Sequence, residues 1–110
     1  MQIEKNKNYT LISSDENLFD EFYKLFTSIE KELTDEHLIL QLSNNISTTK
    51  EDYLLFLKVV AQKKEKGISF AIVNTKADID SFPEHFNIVP TLQEAIDILE
   101  MEAMERELGF

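Results

Sequence analysis

The chain has 110 residues, with 11 Lys and Arg against 21 Asp and Glu and a formal net charge of −10. That length implies one domain, and 43% hydrophobic residues suffice for a core. The absence of Cys excludes disulfides, thiolate metal sites and cysteine nucleophiles.

A DNA duplex presents roughly one negative charge per 1.7 Å of axis and demands a basic surface. Residues 76–110 hold nine acids and two bases, and residues 1–75 hold twelve acids and nine bases. The expectation is therefore no nucleic-acid partner and no anionic lipid surface. No apolar run reaches the ~18 residues of a membrane span. The opening MQIEKNKNYT has no hydrophobic signal-peptide core. A cytoplasmic location is expected.

Gln2–Lys5 reads as a short first strand, turned by Asn6-Lys7-Asn8. Tyr9–Ser13 (YTLIS) reads as a second, rich in β-formers. Ser13 with Glu16 has capping-box spacing. Behind it Leu18, Phe22, Leu25, Phe26, Ile29 and Leu33 recur at helical spacing, which predicts a helix over 16–33. His37–Leu42 (HLILQL) suits a strand buried on both faces.

Ser43–Ser47 is a polar loop. Thr48 with Glu51 repeats the capping spacing. Tyr53, Phe56, Leu57 and Val60 then predict one helix over 50–66, stopped by Gly67 as a left-handed cap. Lys58, Lys63, Lys64 and Lys66 near its end are expected to complement its dipole. Ser69–Asn74 (SFAIVN) reads as a buried strand. One short helical turn is expected within 75–85, broken by Pro83. Phe86–Val89 reads as a last strand. Pro90 ends it, Thr91 can cap the final helix with Glu94 three later, and that helix runs to Gly109. Helices alternating with single strands imply a mostly parallel sheet with right-handed crossovers.

The chemical inventory is thin. The histidines are His37 and His85, 48 residues apart, which is a poor basis for a metal or a catalytic base. Gly67 and Gly109 both fall at helix ends, so no phosphate-cradling glycine loop can form. Asp78, Asp80, Glu100, Glu102 and Glu105 lie in polar stretches and read as a solvated acidic face. A non-enzyme is expected, with no catalytic residue, no cofactor and no metal.

Taken in order, LILQLSNN, STTKEDYLLFLKVVAQKKEKG, ISFAIVNT and FNIVPTLQEAIDIL resemble the STAS domain, the fold of anti-sigma-factor antagonists. The resemblance covers Leu38 to Leu99. It implies a single α/β domain over 1–110, a mixed β-sheet of four or five strands with helices packed mainly on one face. The element order read along the chain, β-β-α-β-α-β-(α)-β-α, fits that fold. The resemblance further implies a regulatory protein partner, of the kinase or anti-sigma type, bound through the loop after the central strand and the next helix. In that family a serine there, in an Asp-Ser-Ser/Thr-Gly setting, is phosphorylated to break the complex. The corresponding hydroxyls are Ser47, Thr48 and Thr49, without the preceding Asp and following Gly. The same face would include Asn44, Asn45, Lys50 and Glu51. Helix capping competes for the same hydroxyls.

The acidic tail, about 100–110, also resembles small bacterial proteins labelled ribonuclease Z, although the H-x-H-x-D-H zinc motif of that enzyme is absent. This second resemblance implies an RNA-processing enzyme as an alternative partner. Met101, Met104, Leu108 and Phe110 interleave with charges in the tail. They are expected to pack on the sheet's own edge, or else to dock a partner or a second copy as a homodimer.

Overall fold

The central apolar run must be covered on two sides, and the computed structural model shows how. It describes residues 1–44, 46, 48–75 and 87–109. The strands are β1 (Gln2–Lys5), β2 (Thr10–Ser13), β3 (Leu38–Gln41), β4 (Phe70–Val73) and β5 (Ile88–Val89). They lie in sequential order across one sheet. β1 pairs antiparallel with β2, and every later pairing is parallel. The helices are α1 (Phe19–Glu30), α2 (Lys50–Leu54), α3 (Leu57–Glu65) and α4 (Leu92–Glu107). A 3₁₀ turn, Lys31–Leu33, extends α1. The fold is α/β with a mixed five-stranded sheet, as expected from the order of elements. The short helical turn expected within 75–85 falls, but for Thr75, outside the described residues.

Alternation along the strands sorts the core into two layers. Ile12, Leu38, Leu40, Phe70, Ile72 and Ile88 face α1, α2 and α3. Leu11, Ile39, Ala71 and Val73 face the opposite way, where Ala95 and Leu99 of α4 cover them. The helices do lie mainly on one face, and among the described helices α4 is the one on the other. Right-handed crossovers between neighbouring parallel strands send α1 and α2–α3 to one side. α4 follows the last strand and is free of that rule.

Phe56 organises the larger layer. Its ring meets Phe26 at 5.4 Å, Tyr23 at 5.7 Å and Phe19 at 5.8 Å, all edge-on, and Phe70 at 6.2 Å. Edge-on aromatic pairs add attraction beyond area burial.

Several sequence expectations shift. α1 begins at Phe19 rather than 16, and Leu18 precedes it without a side-chain cap. Ser13 cannot cap it, because Ser13 is still paired with Gln41 in the ladder. The helix expected over 50–66 is two helices. Leu55 and Phe56 donate to Asp52 and Tyr53, three residues back, and this tighter turn separates α2 from α3. Gly67, at φ +72°, ends α3 as expected. There the Ile68 amide donates to the Lys63 carbonyl and the Gly67 amide to the Lys64 carbonyl, a Schellman end.

Lys63 departs furthest from its expected role. It is 2% exposed. Its ammonium donates to the carbonyls of Leu33 at 2.8 Å, Glu36 at 2.7 Å and Thr34 at 3.4 Å. Rather than lying solvated at the end of its own helix, it satisfies the carbonyls at the end of the α1 extension. A helix end leaves carbonyls in need of donors; the Leu33 carbonyl also accepts from the Glu36 amide at 3.2 Å. Burial pushes the amine down to about 8, against the pull of Glu30, Glu36 and Asp35.

Lys63→Met keeps the apolar stem and takes the ammonium donor from the Leu33, Thr34 and Glu36 carbonyls, of which Leu33 keeps its bond from the Glu36 amide. It should cost about 2–4 kcal/mol in urea unfolding. Between pH 8 and 10.5 the unfolded chain holds a proton that native Lys63 has released. The contribution of Lys63 to stability therefore rises with pH across that window, and the rise should vanish in Lys63→Met.

Candidate functional site

All four parallel strands end at one rim of the sheet. In open α/β sheets ligands bind outside the carboxyl ends of the strands, where the strand order reverses; this sheet runs in sequential order, so the rim is marked by its lining instead. A cleft of about 390 Å³ opens there, lined among others by Ser14, Ser43, Asn44, Asn74, Thr75 and Thr91. The lining is rich in hydroxyl and amide groups.

The loop after β3 is held from within. The Leu42 amide donates to the Val73 carbonyl at 2.9 Å, which carries the sheet one residue beyond β3. The Ser43 amide donates to Ser14 Oγ at 2.7 Å. Thr75 Oγ1 donates to Asn44 Oδ1 at 2.6 Å and ties this loop to the one after β4. Ile46, 1% exposed, plugs into the larger core layer and anchors the loop.

The hydroxyls divide their duties. Thr49, one residue later than expected, caps α2. Its Oγ1 accepts from the Asp52 amide at 3.2 Å, and Asp52 Oδ2 accepts from the Thr49 amide at 3.0 Å. This reciprocal pair is a capping box. Thr48 is thereby free of capping. Its hydroxyl bonds the Tyr53 hydroxyl at 2.8 Å, and Asn74 Nδ2 approaches the same oxygen at 3.5 Å. Burial raises the Tyr53 phenol above its ordinary value, and the Asp52 carboxylate adds to this. Asn74 is itself buried.

Asn44, Thr49, Lys50 and Glu51 are exposed on this rim and Thr48 is half-buried. The structure therefore brings together five of the seven residues proposed for it. Asn45 and Ser47 lie outside the described residues. Tyr53, Asn74, Ser14 and Ile46 support the site and were not singled out from sequence. The available signal was Asn74 itself, a polar residue closing the all-apolar FAIV.

The tail residues lie elsewhere. α4 starts at this rim, capped by Thr91 through the Glu94 amide at 3.2 Å, and runs back along the sheet. Near its far end Glu102 accepts from Asn87 at 3.3 Å and Arg106 donates to Ser69 Oγ at 3.2 Å. Met101, Met104 and Leu108 do not pack on the sheet edge; they are 54%, 62% and 70% exposed. The inward positions there belong to Glu102 and Arg106, so the apolar side chains are turned outward. Phe110 lies outside the described residues.

At that opposite end His37 Nδ1 accepts from the Ser69 amide at 2.9 Å, which requires an unprotonated Nδ1. Burial, then Arg106 and Lys63, hold the imidazole below its usual range. His85 lies outside the described residues. Among the described residues no three of His, Asp and Glu come together in a way that could hold a metal, and no helix is long and apolar enough to cross a membrane. No family model matches the chain, and no curated protein matches it.

Thr49→Ala should destabilise by about 1 kcal/mol through the lost cap, with Thr49→Asp near wild type, as denaturant melts will show. The phenol of Tyr53 is raised, so native Tyr53 keeps a proton that the unfolded chain loses above pH 10. Its contribution is full below pH 10 and falls as pH rises through the native value. Tyr53→Phe should remove that alkaline loss. The sign reverses for His37, whose contribution is full above pH 6.5 and lost as pH falls through the native value. In NMR titration its ring should titrate below 6.5.

Proposed function

We propose that this chain is a cytoplasmic, non-catalytic STAS-like regulatory domain that binds a protein partner through the loop after β3 and the exposed side of α2. The reading rests on the division of labour at the rim. A core-anchored loop presents adjacent hydroxyls, and only one of them, Thr49, is needed to cap the helix behind it. A polar, hydroxyl-bearing loop pinned at Ser43, Asn44 and Ile46 beside a short helix lowers the ordering a partner must impose.

The same arrangement suits control by phosphate. A phosphoryl group brings about −1.5 to −2 charges at neutral pH. At Thr49 it would stand beside Glu51 and Asp52 in the first turn of α2. At Thr48 it would break the link to Tyr53. Ser47 is the third hydroxyl of the motif. The partner class that fits is a regulatory kinase or an anti-sigma-type protein, as the resemblance implies.

The test uses the partner captured from native lysate and then purified. Its affinity for the wild-type chain, Ser47→Glu, Thr49→Asp and Lys7→Glu is measured by calorimetry. Thr49→Asp adds charge while keeping a cap. Lys7 lies in the exposed turn at the opposite end of the sheet. Ser47→Glu and Thr49→Asp should weaken binding by roughly tenfold or more, or about 1.4 kcal/mol, and Lys7→Glu should not. Equal affinities for all four would overturn the reading.

A further inference from the structure

α4 outlasts the sheet it covers. Leu99 is its last buried residue, and the helix continues to Glu107 with only Glu102 half-buried beyond that point. At 3.6 residues per turn, Ala95, Leu99, Glu102 and Arg106 share one face. That face meets the sheet through Ala95 and Leu99 and reaches Asn87 and Ser69 through Glu102 and Arg106. Met101, Met104 and Leu108 fall on the opposite face, at steps of three and four.

These three form a ridge about 10 Å long at 1.5 Å per residue. On the helical projection Glu105 borders it on one side, and Glu100 and Glu107 on the other. All three acids are exposed. Among the described residues none covers the ridge, yet two tethers hold its backbone in place. A buried contact would explain three large apolar side chains on one exposed face better than solvation does.

The charge pattern selects the occupant. A second copy would bring acid rims against acid rims, between chains of net charge −10 each. A segment carrying Lys or Arg on both sides of an apolar stripe would meet complementary charge on both rims. Methionines adapt to irregular apolar partners, and an amphipathic helix matches a ridge of this length and spacing.

We propose that the last two turns of α4 dock a basic amphipathic helix of another protein through Met101, Met104 and Leu108. This surface lies at the opposite end of the molecule from the loop after β3. It stands or falls independently of the function proposed above.

The probe is a synthetic peptide of Leu and Lys with Leu at helical spacing, titrated into the full chain. A scrambled peptide of the same composition is the control. The helical peptide should bind roughly tenfold more tightly than the scrambled one, and added salt should weaken it. The variant carrying Met101→Ser, Met104→Ser and Leu108→Ser should lose that advantage with an unchanged melting midpoint, since these side chains are exposed. Glu100→Gln with Glu105→Gln and Glu107→Gln should weaken binding, whereas Glu21→Gln with Glu32→Gln, on exposed α1-side positions, should not. Equal binding of the two peptides, or no effect of the serine variant, would overturn the proposal. So would a dimer in sedimentation that the serine variant dissolves, because the occupant would then be a second copy.

Discussion

A central parallel strand with no exposed face constrains everything around it. Leu38, Ile39 and Leu40 of β3 are each fully buried between β2 and β4. Such a strand needs an apolar layer on both sides. With the strands in sequential order, crossovers of one hand all pass on the same side and supply only one of them. The other layer has to come from a segment outside the crossover scheme, and α4 is that segment. Its place on the second face is thus required by the sheet, and the commitment of Ala95 and Leu99 to it leaves the opposite side of the helix unused.

The sequence made the strands legible because their signals were local. SFAIVN and HLILQL could be little else, and both are found within a residue of their expected bounds. Gly67 was legible too, since left-handed backbone at a helix end favours glycine. Helix starts were harder. Ser13 and Thr48 each have the right spacing for a capping box, but the same spacing recurs one residue away at Thr49 and Asp52. Which hydroxyl caps is decided by where the incoming loop is anchored, and Ile46 fixes that from the core. Ser13 lost its expected role to the ladder with β3.

Tertiary partners explain the remaining surprises. Nothing near Lys63 in sequence marks it as buried; its acceptors lie 27 to 30 residues earlier. A cluster of four lysines looks uniform until one finds a helix end to satisfy. The hydroxyls of the candidate rim were visible, and so was the face they share. Their bonding to Tyr53 and Asn74 was not, because those residues reach the rim from a different turn and a different strand. Polar groups that hold a site in place are read poorly from sequence, since each looks like an ordinary solvated side chain.

The sequential strand order has a kinetic side. Each strand's neighbour in the sheet is its neighbour along the chain, and short separations between contacting segments favour rapid folding. During synthesis the N-terminal end emerges first, so the sheet can grow strand by strand with α1 and α3 closing over it in turn. α4 arrives last. Until it lands, Leu11, Ile39, Ala71 and Val73 form an open apolar strip across neighbouring strands. The segment that ends the described chain is therefore the one that shields the nascent protein from sticking to other chains. A chain truncated just after β5 would leave Leu11, Ile39, Ala71 and Val73 without the helix that covers them.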